Sequence, residues 1–191
     1  TLIHISSDYV FDGEKNIHDE SEPLSPLSVY GASKAAGDIA ATRARKHYIL
    51  RTSWVIGEGK NFVRTMISLA QKNISPTVVH DQVGRLTFTS ELVRAIDHLL
   101  STQAEFGTYN VSNSGDPISW ADITREIFSL LGRSDLGVAN TTTVEYFVGK
   151  SDIAPRPLQS TLSLDKIQQT GFVSADWRDD LKNYVEKETT V

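Results

Sequence analysis

The chain has 191 residues, 39% hydrophobic and 23% charged, with a formal net charge of −5. That is enough chain for a real core, and the acidic balance argues against a nucleic-acid-binding face, which wants clustered Lys and Arg. Cys is absent, which excludes a disulfide framework and any thiolate metal site, and no apolar run approaches the roughly 18 residues of a membrane span.

The first residues, TLIHISSDYVF, lack the basic start and small-residue cleavage site of a secretory signal. With the missing Cys, this makes a reducing cytoplasm the expected location. LIHIS, Leu2 to Ser6, is a nearly continuous apolar run and predicts a strand covered on both faces. DGEKNIHDESEPLSPLS is polar and proline-bearing, so it is expected to be a surface loop. VYGASKAAGDIAATRARK reads as a helix, with Arg43, Arg45 and Lys46 suited to its C-terminus. HYILRTSWVIG predicts a second buried strand, FVRTMISLAQK a helix with Phe62, Met66, Leu69 and Ala70 at helical spacing, and TVVHD a third strand.

TSELVRAIDHLLST predicts a helix capped by Thr89 or Ser90, with Leu92, Val93, Ile96, Leu99 and Leu100 on one face. GTYNVSN predicts a fourth strand. ISWADITREIFSLLG predicts a helix capped by Ser119 and stopped by Gly132. TTTVEYFV reads as a strand, and SLDKIQQTGF and DWRDDLKNYVEKE as short helices. Strands alternate with helices, which argues for an α/β fold with a parallel sheet. The irregular stretch from Gly132 to Leu162 is expected to form an appended lobe. No G-x-G-x-x-G follows any strand; Gly57 and Gly59 are not followed by a third glycine, so no pyrophosphate cradle is visible. The five His (His4, His18, His47, His80, His98) form no i, i+4 pair, and no metal site is expected.

One constellation carries chemistry. Tyr30 and Lys34 stand four apart at the start of a helix and so project from one face. An unperturbed Tyr has a pKa of about 10, and a nearby ammonium stabilises the phenolate. A Tyr so placed can protonate the alkoxide that develops when a carbonyl is reduced. Ser7, at the end of the first strand, can hydrogen-bond the same oxygen, and the carboxyl ends of strands are where ligands bind in open α/β sheets. A packing Tyr with its hydroxyl at the surface is an equally open reading of these residues alone.

HISSDYVFDG, PLSVYGASKAAGD and ILRTSWVIG together resemble the extended short-chain dehydrogenases/reductases, and among them the dTDP-4-dehydrorhamnose reductases. NFVRTMISLA, VVHDQVGRLTFTSEL, GTYNVSNSGDPISWADITREIF and APRPLQSTLSLDKI continue the resemblance in order over essentially the whole chain. It corresponds to the C-terminal two-thirds of such an enzyme. The implied fold is a truncated Rossmann-like parallel sheet with helices plus a small mixed substrate-binding lobe. Residues 1–131 would hold the Rossmann-like part with interleaved lobe segments, and residues 132–191 mainly the lobe and C-terminal helices.

The resemblance implies reduction of the C4 keto group of a nucleotide-activated 4-keto-6-deoxy sugar with NADPH or NADH, serving dTDP-rhamnose and polysaccharide synthesis. It implies Ser7 as the ligand of the substrate carbonyl, Tyr30 as proton donor, and Lys34 as the residue that assists Tyr30 and binds the nicotinamide ribose. Asp8, Tyr9 and Trp54 would meet the sugar, with a core Trp as the alternative at Trp54. Arg51 and Ser53 would lie near the nicotinamide, although Arg51 also suits a structural ion pair. Arg156 would meet the nucleotide diphosphate, or simply occupy an exposed turn. Leu86 and Phe88 depart from the Pro and Tyr more usual there, a change expected to reshape the pocket wall. Asp38 stands where Glu is usual.

Because the cofactor cradle would precede Thr1, these 191 residues are expected to be inactive alone. The expected partners are a nucleotide sugar, the N-terminal segment of the same protein, and a second copy through the open edge of the LIHIS strand. Two other readings stand beside this one. A regulatory subunit like that of methionine adenosyltransferase shares the Ser-Asp-Tyr-Val-Phe-Asp-Gly segment, but RTSWV favours the reductase. A nucleotide-sugar epimerase or dehydratase would want a different turn after the Ser, and for a dehydratase an acidic pair that Asp8 alone does not make.

Overall fold

The computed structural model describes every residue except Asp152 and Val191. Strand β1 (Leu2–Ser7) ends in a short 3-10 turn over Asp8–Val10, and helix α1 (Val29–Ala41) follows the long loop. Ser28 caps α1, its hydroxyl accepting from the Gly31 amide at 3.1 Å. The helix stops at Ala41, so Arg43, Arg45 and Lys46 lie in the turns beyond it rather than in its last turn. Gly31 is needed where α1 crosses that 3-10 turn: a Cβ there would stand 2.2 Å from the Tyr9 carbonyl oxygen.

The expected second strand is two. β2 (His47–Thr52) and β3 (Val55–Ile56) are separated at Trp54, whose φ of 47° takes the chain out of extended geometry. Then come α2 (Phe62–Gln71), β4 (Thr77–Val79), β5 (Val83–Gly84), β6 (Thr87–Phe88) and α3 (Thr89–Ser101). Phe88, not Thr89 or Ser90, precedes the first turn of α3, with no side-chain cap. The buried face of α3 is Leu92, Ala95 and Leu99, whereas Val93 and Leu100 are exposed.

The rest of the chain forms β7 (Gly107–Asn110), β8 (Ile118–Ser119), α4 (Trp120–Leu130), β9 (Ala139–Thr141), α5 (Thr143–Phe147), α6 (Asp165–Gln168) and α7 (Trp177–Thr189). Ser119 caps α4, and Gly132 (φ 66°) follows its end, as expected. The TTTVEYFV strand is corrected to the end of β9 and helix α5. Thr142 and Glu145 form a reciprocal capping box there, Glu145 N to Thr142 Oγ1 at 3.1 Å and Thr142 N to Glu145 Oε2 at 2.9 Å. Two satisfied amides outweigh the β preference of Thr and Val.

The main sheet is parallel, in the order β1-β2-β7. β4 pairs with β9 rather than joining that sheet. β2 is buried over its last five positions, but Leu2 and Ile5 of β1 are 43% and 39% exposed, so β1 is not covered on both faces as expected. It is the outer strand. Leu2 N donates to Lys46 O, so the alternation of backbone direction turns Ile3, Ile5 and Ser7 toward the open side.

One core lies under α2, α4 and α7, around Ile56, Met66, Ile127, Trp177 and Leu181. A second lies between the sheet and α3, around Tyr48, Leu50, Leu99, Tyr109 and Ile167. Leu86 and Phe88 belong to the first core. The loop expected at the surface hides a buried His–carboxylate contact. His18 is fully buried, 3.0 Å from both carboxylate oxygens of Glu22, stacked on Phe11 and 3.2 Å from the Gln159 carbonyl oxygen. Among the described residues, no helix is long and apolar enough to cross a membrane.

Candidate active site

A cavity of about 800 Å³ opens at the carboxyl end of β1, within the usual size of a small-molecule site. Ser6 and Ser7 end β1, Asp8 and Tyr9 make the 3-10 turn, and Tyr30 and Lys34 come from the first turns of α1. Trp54 and Trp120 form one wall, and Phe147, Ile153 and Arg156 close the site from the segment around and after α5.

Seven of the residues expected from the sequence therefore meet: Ser7, Asp8, Tyr9, Tyr30, Lys34, Trp54 and Arg156 all line this one cavity. Arg51 and Ser53 do not line it. The Arg51 side chain is buried against α1, donating from Nε to Asp38 Oδ2 at 3.0 Å and from Nη1 to the Glu20 carbonyl at 3.3 Å. Ser53 is 2% exposed, behind the cavity wall. Leu86 and Phe88 are also absent from the lining, being core residues, so their departure from the family pattern does not reshape the wall.

The geometry at the mouth is specific. Tyr30 packs edge-on against Tyr9, ring centroids 5.5 Å apart, and both residues line the cavity. Lys34 Nζ donates to the Ile5 carbonyl at 2.6 Å. That carbonyl is on the open side of β1, so the ammonium is held over the strand end by a backbone group that has no ladder partner. Ser7 Oγ donates to Asp8 Oδ1 at 3.0 Å and accepts from Tyr9 N at 3.2 Å.

Asp8 is the unusual acid. It is buried, and Oδ2 has no partner within hydrogen-bond geometry among the described residues. Burial pushes its carboxyl up from an ordinary 3.8 to about 6, against the opposing pull of the Ser160 and Ser7 hydroxyls. Burial likewise raises the Tyr9 phenol, opposed by Arg156.

The Asp8 shift has a consequence for stability. Between 3.8 and about 6, the folded chain keeps a proton that the unfolded chain releases. The contribution is fully present below pH 4 and is lost as pH rises through 6, at about 1.4 kcal/mol per unit and about 3 kcal/mol in all. Asp8→Asn is therefore expected to be more stable than the wild type at pH 7 by up to that amount, and equal to it near pH 4. Urea denaturation of both proteins across this range reads it. Parallel curves at every pH would contradict the assignment.

Trp120, Phe147 and Ile153 were not singled out from the sequence. Trp120 opens α4 directly after its Ser119 cap, and reads there as one more apolar position on an amphipathic helix. Only the stacking of its indole on Trp54, at 3.8 Å between ring centroids and 19° between planes, reveals its place.

Known proteins similar to this chain cover nearly all of it. Residues 1–190 match the family described as RmlD substrate binding domain. The chain is 37% identical to spore coat polysaccharide biosynthesis protein SpsK of Bacillus subtilis, over 98% of this chain and 65% of that protein. It is 37% identical to the dTDP-4-dehydrorhamnose reductase of Aggregatibacter actinomycetemcomitans, over 95% of this chain and 65% of that protein. The crystal structure of dTDP-4-dehydrorhamnose reductase from Bacillus anthracis in complex with NADP superposes with a TM-score of 0.86 at 34% identity, covering 98% of this chain and 66% of that one. The chain thus spans about 65% of the length of these curated relatives.

Proposed function

Since the chain belongs to the RmlD substrate binding domain family, we propose that its protein reduces the C4 keto group of a nucleotide-activated 4-keto-6-deoxy sugar. The observation that carries this reading is the convergence of Ser7, Tyr30 and Lys34 on one cavity that also presents Trp54 and Arg156. A ketone needs a proton donor and a hydrogen bond at its oxygen, and a sugar nucleotide needs an apolar wall and a cation for its phosphates. Residues of each kind line the same space.

The residues fit the nicotinamide end of a dinucleotide. The donors there are an ammonium anchored on the Ile5 carbonyl and a Tyr that is 54% exposed, both at the cavity rim. Lys34 and Tyr30 would hold the nicotinamide ribose. NADPH or NADH, when bound, supplies the hydride. Tyr30 transfers its proton to the carbonyl oxygen as negative charge grows on it. Lys34 stabilises the phenolate that Tyr30 leaves. Ser7 turns its hydroxyl from Asp8 to the same oxygen and positions it. Arg156, on the outer side, pairs with the diphosphate through its planar fork. In this reading the protein is cytoplasmic, and the open side of β1 is covered by a further strand of the protein or by a second copy.

The test uses the natural full-length protein. NADPH absorbance is followed with a dTDP-linked 4-keto-6-deoxy sugar, and stoichiometric loss of absorbance with formation of the 4-hydroxy sugar is the expected result. No consumption by properly folded protein would overturn the reading and favour a regulatory, partner-binding role.

A further inference from the structure

The aromatic wall of the cavity is assembled from elements far apart in the chain. Trp54 lies between β2 and β3 with a left-handed φ of 47°, a conformation uncommon for a bulky residue and retained only where surroundings enforce it. One contact bears on it directly and two features support that contact. Trp120 stacks on its indole at 3.8 Å. Phe62, the first residue of α2, packs against Trp120 in turn at 4.4 Å and 48°. Gly84 gives the indole room, because a Cβ there would stand 3.0 Å from Trp54 Cε2 and Cζ2 and 3.1 Å from Ser160 Cβ.

The topology explains the meeting. β5 and β8 pair antiparallel, with Gly84 opposite Ile118. Trp120 follows β8 directly and is thereby carried to the same indole that Gly84 faces. An indole that is free to turn must be ordered when a ligand stacks on it, and that ordering opposes binding. Here the ordering is complete before any ligand arrives, and one face of Trp54 is already covered.

We propose that Trp120 is a positioning residue that fixes the plane of Trp54, so that a sugar ring stacks on Trp54 from one side only. The inference rests on the reductase reading for the identity of the ligand. It does not rest on it for the geometry.

The experiment has an optical and a kinetic part, both on the natural full-length protein. Closely stacked indoles give an exciton couplet in circular dichroism. Wild type is expected to show it, and Trp54→Phe and Trp120→Phe are each expected to lose it. A wild type without the couplet, or a couplet that survives either substitution, overturns the pairing whatever the enzyme does. In the kinetic part, Trp120→Ala is expected to raise KM for the nucleotide sugar roughly tenfold while kcat stays within about threefold. Trp120→Phe should restore most of the KM, since a ring still supports Trp54. An unchanged KM in Trp120→Ala, or a loss confined to kcat, overturns the positioning role. Should Trp120→Ala fail to fold, Trp120→Leu serves instead, because it keeps apolar bulk beside Phe62 and removes the ring that stacks on Trp54. The same rise in KM supports the proposal and an unchanged KM defeats it. Failure of the wild type to turn over any nucleotide sugar strikes the reductase reading alone, and the couplet then decides the pairing.

Discussion

Replacing Tyr30 by Phe is expected to lower kcat for ketone reduction roughly 10²- to 10⁴-fold, with KM for the nucleotide sugar little changed. The substitution removes one oxygen atom. Its ring is 54% exposed and packs edge-on against Tyr9, a contact that Phe retains, so folding should be unaffected. The lost atom is the only hydroxyl that α1 brings to the cavity beside Lys34. Without it, the proton must come from a group less suitably placed, the Lys34 ammonium or a water molecule.

Lys34→Met should fall by a similar order, because it removes the charge that stabilises the Tyr30 phenolate and releases the Ile5 carbonyl contact. The two substitutions together should cost far less than the product of their separate effects, as expected of a proton donor and a cation proposed to act as one unit. Steady-state rates on wild type, both single variants and the double variant check this. Equal rates for wild type and Tyr30→Phe would remove Tyr30 from the chemistry, and multiplicative losses would separate the pair.

The Ser7, Tyr30 and Lys34 group was legible because its signal is local. A strand end, a proline-bearing loop and a helix start follow one another in the chain, and the fold brings the three elements together at the carboxyl end of β1. Helices with a clean apolar period, such as α2 and α4, were legible for the same reason.

What escaped depends on partners distant in sequence or on competing local signals. Nothing in RTSWVIG marks a left-handed residue, and the ring that stacks on Trp54, Trp120, lies 66 residues further along the chain. The Thr-rich run before α5 looked extended because β-branched residues are stiff at χ1. The T-x-x-E box that decides it was present in the letters, and is the stronger local signal. His18 and Glu22 were assigned to the surface by composition, yet the Gln159 segment folds over them. Arg51 was ambiguous from sequence because its partner, Asp38, is on the preceding helix, and only the packing of α1 on β2 joins them.

That pair supports the second large effect. Arg51→Met is expected to destabilise the protein by about 3–5 kcal/mol, the usual cost of leaving one member of a buried ion pair alone. Arg51 and Asp38 are 6% and 3% exposed. The guanidinium also satisfies the Glu20 carbonyl and lies over the Phe11 ring at 5.2 Å, so its removal strands more than one group. Asp38 would keep only His4, whose Nε2 is 3.3 Å from Oδ1. Asp38→Leu combined with Arg51→Met should be more stable than Arg51→Met alone, because no uncompensated carboxylate then stays buried. Urea denaturation of the single and double variants measures the coupling, expected between about 0.5 and 3 kcal/mol.

A side chain that contacts cofactor would behave differently. Arg51→Met would then keep its stability and show a raised KM for NADPH, an outcome that returns Arg51 to the site and refutes the structural role. The expected result follows from where the pair sits. Asp38 is one helical turn beyond Lys34 on α1, and Arg51 is on the central strand β2. Their contact therefore ties the helix that carries Tyr30 and Lys34 to the sheet whose edge carries Ser7. The ion pair is paid for in desolvation, and its part in the proposed reaction is to keep those three residues in register.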